Sequence, residues 1–190
     1  MSENENHPAV TGEDRLPGDL PPQDLVARMI RVDHAGEYGA VRIYEGQLAV
    51  LGRTRGVRAI RVMAAKEREH LDRFTDLVAR RRVRPTLLTP LWHVAGFALG
   101  AATALISEKA AMACTVAVEE VIDDHYAAQA ARLGEDERDL REVIERFRAD
   151  EVEHRDTALA HGAEEALAYP VLSRAIKAGS RLAIWLSERL

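Results

Sequence analysis

One carboxylate and histidine pattern occurs twice in this chain. In the first half, Glu37 precedes the segment 67–70, Glu-Arg-Glu-His; in the second half, Glu119 precedes the segment 151–154, Glu-Val-Glu-His. The matching acids lie 82 and 84 residues apart. Residues three apart share one face of a helix, so the Glu and His of each Glu-x-x-His can reach one point. A Glu from each of two helices and a Glu-x-x-His from each of two others form the ligand set of a two-metal site in a four-helix bundle.

The composition favours one helical domain. The chain has 190 residues, of which 47% are hydrophobic and only 7 are prolines, and its abundant Ala, Leu, Glu and Arg form helices well. No alternating run of β-branched residues predicts a strand. We therefore expect an all-α, ferritin-like four-helix bundle with extra apolar and amphipathic helices that contact a membrane or substrate. Residues 23–190 would form this domain, with an internal duplication at about 24–82 and 108–162, after a disordered acidic lead-in at 1–22.

Charge and cysteine content exclude several functions. With a net charge of −5, the chain is not expected to bind nucleic acid through bulk electrostatics. Its single cysteine, Cys114, excludes an intrachain disulfide, a cysteine-rich zinc site and an iron–sulfur cluster. The N-terminus lacks the basic start and apolar core of a secretory signal and is too acidic for a mitochondrial transit peptide. These features predict a protein of a reducing compartment, the bacterial cytoplasm.

The repeated acids project from apolar stripes if their segments are helical, which predicts that they are buried. Burying carboxylates together costs on the order of several kcal/mol per ion, and they repel one another. Two divalent cations would neutralise the four charges, and carboxylates with one imidazole per metal suit iron or manganese. A helical protein whose acids pair with its many arginines is the alternative. The predicted ligands of the two metal ions are Glu37, Glu67, His70, Glu119, Glu151 and His154.

Residues near the repeated acids are candidates for supporting these ligands. Asp123 lies one helical turn after Glu119, and His125 lies six residues after it. His125 could hydrogen-bond a ligand or relay protons, or it could be an ordinary interface histidine. Tyr44 and Tyr126 are more typical of core aromatic residues than of redox participants.

A long apolar segment interrupts the charged sequence. Residues 85–107 carry no formal charge, and four arginines lie within residues 80–84. The length allows a membrane span, but the proline, histidine and glycines make it a poor one. Arginines beside a Trp-bearing segment favour a helix at an anionic membrane surface, and the Gly96-x-x-x-Gly100 pair permits close helix contact. A core or dimer helix of a soluble protein is the alternative. A break near Ser107 would separate this segment from the helix that follows.

The last segment, residues 171–190, is amphipathic. Apolar residues such as Leu172 and Trp185 are interspersed with basic residues such as Arg174 and Arg181. It could lie on a membrane or cap the bundle. Both apolar regions suit an oily substrate that enters from a bilayer.

Several longer stretches resemble the demethoxyubiquinone hydroxylases of ubiquinone biosynthesis. Residues 31–40 read Arg-Val-Asp-His-Ala-Gly-Glu-Tyr-Gly-Ala, and Arg-Ile-Tyr follows at 42–44. Similar stretches also lie at 82–86, 90–92, 97–100, 111–120 and 186–190, so the resemblance covers roughly residues 25–190. It implies that the six predicted ligands hold two iron ions, with Glu119 rather than Glu120 as the ligand. It also matches His125 and Tyr126 to a His-Tyr pair near the metal site of the family.

The resemblance implies a reaction as well. The family hydroxylates the benzoquinone ring of a polyprenylated demethoxyubiquinone with O₂; the metal supplies the oxygen chemistry, and the protein supplies orientation and a dry pocket. No Gly-x-Gly-x-x-Gly after a strand and no flavin motif is present, so the electron donor is external: NADH, a reductase or the reduced quinol. We further expect peripheral attachment to the cytoplasmic face of the inner membrane. Some members use a lipid-binding accessory protein, and the oligomeric state, including a homo-oligomer, is left open.

Two other functions fit the repeated pattern. A ferritin-like iron oxidase or peroxide reductase would use the same ligands for Fe(II) or peroxide. A membrane-surface scaffold would use them for a structural metal, although four buried glutamates are a costly way to hold a fold together. The uncharged segment and its arginines favour the hydroxylase, because a soluble cage protein would be penalised for exposing them.

Overall fold

The computed structural model describes residue 18, residues 20–52 and residues 57–190. The six α-helices are α1 (Pro22–Leu51), α2 (Val57–Arg81), α3 (Thr89–Ile106), α4 (Glu108–Ala130), α5 (Arg138–Ala160) and α6 (Tyr169–Ser187). Single 3₁₀ turns at Glu135–Glu137 and Ala163–Glu165 precede α5 and α6. These residues contain no strand, so the expected all-α class is confirmed. The lead-in predicted for residues 1–22 lies almost wholly outside the described residues.

Helices α1, α2, α4 and α5 form the central bundle. α1 packs along α2 and α4 packs along α5, while α1 also contacts α4 and α2 contacts α5. One apolar cluster includes Ile60 and Met112, and a second includes Ile30, Phe74 and Ile144, all fully shielded from solvent. Along each of the four helices, the repeated acid lies between residues of the two clusters. The acids therefore occupy the middle of the bundle with apolar packing on both sides.

Helix α3 lies against α1 at a very short distance. A Cβ atom on Gly100 would be 1.9 Å from the carbonyl oxygen of Ile43, and one on Gly46 would be 2.2 Å from that of Phe97. A Cβ on Gly96 would likewise meet the α1 backbone, at 2.9 Å. Only glycine allows backbones to approach this closely. The Gly-x-x-x-Gly pair thus serves packing within the chain.

Ser107 ends α3 and begins α4. Its backbone is extended, with φ −175° and ψ 164°. Its Oγ accepts a hydrogen bond from the backbone N–H of Ala110 at 3.0 Å. This bond satisfies one of the free N–H groups at the start of α4. The expected break near Ser107 is therefore a capped helix start.

Replacing Ser107 by Ala should lower the free energy of unfolding by about 1 kcal/mol, because Ala cannot accept the capping bond. In a chain of this length, the melting temperature should fall by roughly 2–4 °C. Thermal unfolding followed by circular dichroism measures the change. Ser107→Asn, which keeps an acceptor oxygen, is the matched control. Equal melting temperatures for the Ala variant and the wild type would contradict the capping role.

Helices α3 and α6 present apolar side chains to solvent. Trp92 Nε1 donates to Ser187 Oγ at 3.0 Å, and the backbone N–H of Leu87 donates to the carbonyl oxygen of Leu190 at 3.1 Å. The start of α3 therefore lies beside the end of α6. Exposed apolar residues on or beside these helices are Leu87, Leu91, Val94, Leu105, Ile106, Leu167, Val171, Leu182, Trp185 and Leu190.

Within the described part of the chain, α3 is the one helix that could cross a membrane by length and composition alone. Only 17% of that 18-residue stretch is buried. The same helix carries the glycines that contact α1, so one face is committed to the bundle and the rest is largely exposed. The extra apolar helix expected from the sequence is confirmed.

Candidate metal centre

The six predicted ligands meet at the middle of the bundle. α1 and α4 each contribute one glutamate, whereas α2 and α5 each contribute a glutamate and a histidine. The four glutamates are at most 1% exposed, and the histidines at most 5%. Spacing alone predicted this convergence. The residues are Glu37, Glu67, His70, Glu119, Glu151 and His154.

The donor atoms form two overlapping groups. In each group, one donor atom of every residue lies within 4.8 Å of the others. The members are Glu37, Glu67, His70 and Glu151 in the first group, and Glu67, Glu119, Glu151 and His154 in the second. Glu67 and Glu151 are shared. The six residues would hold a two-metal site, with Glu67 and Glu151 within reach of both donor groups.

Both histidines direct Nδ1 toward the acids. His70 Nδ1 lies 3.2 Å from an Oε atom of Glu151 and 3.7 Å from one of Glu37. His154 Nδ1 lies 2.9 Å from an Oε atom of Glu67 and 3.1 Å from one of Glu151. Each helix therefore aims the His and the Glu of its Glu-x-x-His at the same point, as the three-residue spacing requires.

Burial and mutual repulsion determine the protonation of the acids. Burial, followed by the charge of Glu151, raises the pKa of Glu67 and of Glu119 well above 4.5. Burial also raises the pKa of Glu151, but hydrogen bonds with the two histidines outweigh it and lower that pKa to about 2. Burial lowers the pKa of His70, but hydrogen bonds with acidic neighbours outweigh it and raise the pKa to about 10. Protons thus offset part of the buried charge in the metal-free protein.

Several buried acceptor atoms have no donor among the described residues. They include Oε2 of Glu37, Oε2 of Glu67 and Oε2 of Glu119. Buried carboxylate oxygens without partners are costly, and two divalent cations would both contact such atoms and balance four carboxylates. The residues therefore fit a two-metal centre. Oxygen-rich donors with one imidazole per position suit iron or manganese, and the ligand assignment stays a prediction.

Two buried tyrosines form hydrogen bonds between α1 and α4 with Glu37 and Glu119, the predicted ligands that these two helices contribute. The hydroxyl of Tyr44 on α1 donates to Oε1 of Glu119 on α4 at 2.8 Å. The hydroxyl of Tyr126 on α4 donates to Oε1 of Glu37 on α1. Burial raises the pKa of both tyrosines well above 10, so both remain protonated donors. The sequence favoured a core position for these residues, and the structure adds a polar contact with the predicted ligands.

His125 lies beside the centre, and no contact with a predicted ligand is found for it in the described structure. Its Nε2 is 3.4 Å from Oδ1 of Asp33 and 2.8 Å from Nε2 of Gln129. Burial raises the pKa of Asp33 to about 6. A role for His125 in proton relay stays a prediction. Asp123 forms a salt bridge with Arg148 of α5 rather than contacting a predicted ligand.

Asp150, which the sequence did not single out, supports His70 from outside. Its Oδ2 lies 3.0 Å from His70 Nε2, the ring nitrogen that faces away from the cluster, and 3.5 Å from Lys66 Nζ. Asp150 precedes Glu151 and therefore points about 100° away from it around α5. Nothing in the sequence distinguishes it from the other acids of this helix.

An apolar cavity of about 330 Å³ is bounded by α1, α3, α4 and α6. Trp92 and Leu99 of α3 and Ile184 of α6 line its outer side. Its inner side includes the residues one position before and three positions after Glu37 and Glu119, namely Gly36, Ala40, Val118 and Ile122. The cavity therefore lies next to the turns of α1 and α4 that carry Glu37 and Glu119.

A helical bundle that buries four glutamates and two histidines in two overlapping donor groups defines a ferritin-like carboxylate-cluster protein. The chain belongs to the COQ7 family, because the model of the family described as ubiquinone biosynthesis protein COQ7 matches residues 24–187. This confirms the resemblance found in the sequence.

Named relatives agree with this family. The chain is 64% identical over 181 residues to a 3-demethoxyubiquinol 3-hydroxylase of Rhodospirillum rubrum, covering 95% of this chain and 85% of the relative. It is 56% identical over 169 residues to a human NADPH-dependent 3-demethoxyubiquinone 3-hydroxylase, covering 87% and 78%. A 5-demethoxyubiquinone hydroxylase of Saccharomyces cerevisiae is 44% identical over 180 residues, covering 86% and 77%.

Proposed function

We propose that this protein is a monooxygenase that hydroxylates the benzoquinone ring of a polyprenylated demethoxyubiquinone, using two iron ions held by the six predicted ligands. The observation that carries the proposal is the buried donor cluster beside an apolar cavity, in a chain 64% identical to a 3-demethoxyubiquinol 3-hydroxylase. The named relatives favour this function over an iron oxidase, a peroxide reductase or a scaffold. They support ubiquinone biosynthesis as the pathway.

The reaction balances with an external two-electron donor. A ring C–H bond, O₂, NAD(P)H and one proton give a ring C–OH bond, water and NAD(P)⁺. When bound, iron supplies the one-electron chemistry that O₂ reduction needs. The human relative is named as NADPH-dependent, which supports a nicotinamide donor here.

The chain's own residues prepare the site. Tyr44 and Tyr126 hold the carboxylates of Glu119 and Glu37 in fixed orientations. The apolar clusters on both sides of the acids keep bulk water out. The cavity beside Glu37 and Glu119 offers an apolar surface for the quinone ring and the first part of its tail.

The exposed apolar surface of α3 and α6 supports peripheral attachment to a membrane, for which we propose the cytoplasmic face of the bacterial inner membrane. Both helices line the cavity and also expose large apolar residues, among them Val94 and Trp185. A lipid-soluble quinone could pass from the bilayer between these helices without crossing water. The lipid-binding accessory protein and the homo-oligomer stay predictions.

The function is tested with metal-free protein reconstituted with Fe(II) and supplied with a short-tailed demethoxyquinone, NAD(P)H and ¹⁸O₂. We expect about two irons per chain and a product heavier by one labelled oxygen atom, measured by metal analysis and mass spectrometry. Two irons with only Fe(II) oxidation or peroxide turnover would contradict the hydroxylase and favour the ferritin-like oxidase.

The cavity gives a second prediction. Ala183→Phe on α6 should fill part of the cavity and raise the KM for the quinone about 10-fold or more, which is roughly 1.4 kcal/mol of lost binding, while the iron content stays unchanged. Ala178→Phe is the matched control, because Ala178 lies on the same helix, is exposed and is not a lining residue. Equal KM values for the two variants would show that the quinone binds elsewhere.

A further inference from the structure

The contacts around the centre repeat as the sequence does. Tyr44 and Tyr126 each follow a single acid by seven residues, and each donates to the acid of the opposite helix. Gln47 and Gln129 are also 82 residues apart. Gln47 Nε2 donates to the carbonyl oxygen of Ala111 at 3.1 Å and also lies 3.5 Å from Thr115 Oγ1, and Gln129 Nε2 donates to Asp33 Oδ1 at 2.7 Å. Thr115 and Asp33 are themselves 82 residues apart, so the two halves of the bundle make matching crossed contacts.

This symmetry breaks behind the histidines. His70 has Asp150 at its outer nitrogen, with Nε2 and Oδ2 3.0 Å apart. The residue that matches Asp150 in the other half, 84 positions earlier, is Lys66. An ammonium group is a donor only and cannot accept a bond from the N–H of His154. Within the described residues, Nε2 of His154 has no hydrogen-bond partner, so only one of the two histidines has a carboxylate behind it.

A second break lies on the same side. Asp33, four residues before Glu37, has the neutral Thr115 as its counterpart. His125 has Ile43 as its counterpart, 82 positions earlier. Asp33 and His125 thus contact each other on the side of the bundle that holds Glu37, where the matching positions Thr115 and Ile43 carry a hydroxyl and an aliphatic side chain. Both departures add polar groups near the first donor group.

We propose that the two metal positions are unequal, and that Asp150 is a positioning residue that makes the position at Glu37 and His70 the tighter one. The inference rests on the proposed two-metal function. A carboxylate behind a ligating imidazole fixes the ring orientation and its tautomer, with the proton on Nε2 and the lone pair on Nδ1, and increases the basicity of the ligand. His70 has this support, whereas the ring of His154 is free of it.

Binding of Co(II) alone to the metal-free protein tests the proposal. We expect the wild type to bind two ions in separable steps, the first at the position of His70. Asp150→Asn should raise the dissociation constant of the first step by about 10- to 100-fold, the usual effect of losing such support. The two dissociation constants should then become similar. The visible absorption bands of Co(II) follow both steps, so no measurement depends on turnover.

Two control variants separate this support from general charge effects. Lys66→Met removes the ion pair with Asp150 but leaves the bond to His70, so the two steps should remain separate. Glu153→Gln removes a nearby acid of α5 that contacts neither histidine in the described structure. This variant should also leave the two binding steps unchanged. If Glu153→Gln weakens the first step as much as Asp150→Asn does, net charge is the cause and the proposal is overturned.

A spectroscopic signature completes the test. In the Co(II)-loaded wild type, the Nε2 proton of His70 should give a hyperfine-shifted resonance that exchanges slowly with solvent, and Asp150→Asn should speed this exchange. Two bound ions with identical isotherms for wild type and Asp150→Asn would overturn the role of Asp150 but leave the two-metal centre intact. Failure of the wild type to bind a second ion would instead contradict the two-metal centre itself.

Discussion

Replacing Glu119 by Gln should abolish binding of two irons per chain and all ring hydroxylation, yet stabilise the metal-free protein at neutral pH. Glu119 is fully buried, and burial together with the charge of Glu151 raises its pKa well above 4.5. Gln keeps the shape and can still accept the bond that Tyr44 donates. The change therefore removes the cost of keeping this buried carboxyl protonated above its ordinary pKa, and it leaves no cavity.

Glu151→Gln should lose iron and activity equally but destabilise the metal-free protein. Glu151 hydrogen-bonds both histidines, and its pKa is lowered to about 2. Breaking such a buried pair costs about 3–5 kcal/mol. Metal analysis, turnover and denaturant unfolding in the presence of a chelator measure the three effects. If Glu119→Gln kept two irons and full turnover, the ligand assignment would be wrong; if both variants shifted the unfolding free energy in one direction, the charge argument would be wrong.

The same charges set the pH dependence of the metal-free protein. Glu67 and Glu119 have folded-state pKa values raised above 4.5, so the folded protein holds protons that the unfolded chain releases, and stability falls as the pH rises beyond about 4.5. Glu151 acts in the opposite sense, because its stabilisation is present above about 4.5 and is lost as the pH falls toward 2. Glu119→Gln should therefore reduce the loss of stability at high pH.

The meeting of the six predicted ligands could be anticipated because helical spacing fixes which residues share a face. Glu67 and His70 are three apart on α2, and no other structural information is needed to direct both at one point. The repeat then supplies the second half. The family resemblance added the expected reaction, which spacing alone left open between a hydroxylase and an oxidase.

Contacts between helices were not predictable in the same way. Spacing predicted only that Tyr44 and Tyr126 lie on apolar stripes, and the family resemblance placed Tyr126 near the metal site. Neither told which acid each hydroxyl contacts, because the sequence does not say which helix lies opposite. Asp150 looked like any exposed acid of α5, and its contact with His70 depends on the distance between α2 and α5. The spacing of Gly96 and Gly100 is compatible with a membrane, dimer or core helix, and only the fold shows that Gly46 of α1 lies at the same interface.

Gly100→Ala should destabilise the protein by about 3 kcal/mol, at the upper end of the usual cost of overpacking. The added Cβ would lie 1.9 Å from the carbonyl oxygen of Ile43, and backbone atoms cannot move aside as a flexible side chain can. α3 must therefore shift away from α1, which carries Glu37 and lines the cavity. In a chain of this length, the melting temperature should fall by roughly 6–12 °C.

Gly179→Ala is the matched control for this variant. Gly179 also lies within a helix and lines the same cavity, but a Cβ there meets nothing within 4 Å. Alanine is favoured over glycine inside a helix, so this change should stabilise the protein by about 0.5–1 kcal/mol. Opposite shifts in melting temperature for the two variants would locate the close contact at the interface of α1 and α3. A Gly100→Ala protein as stable as the control would mean that these two helices lie farther apart than the structure has them.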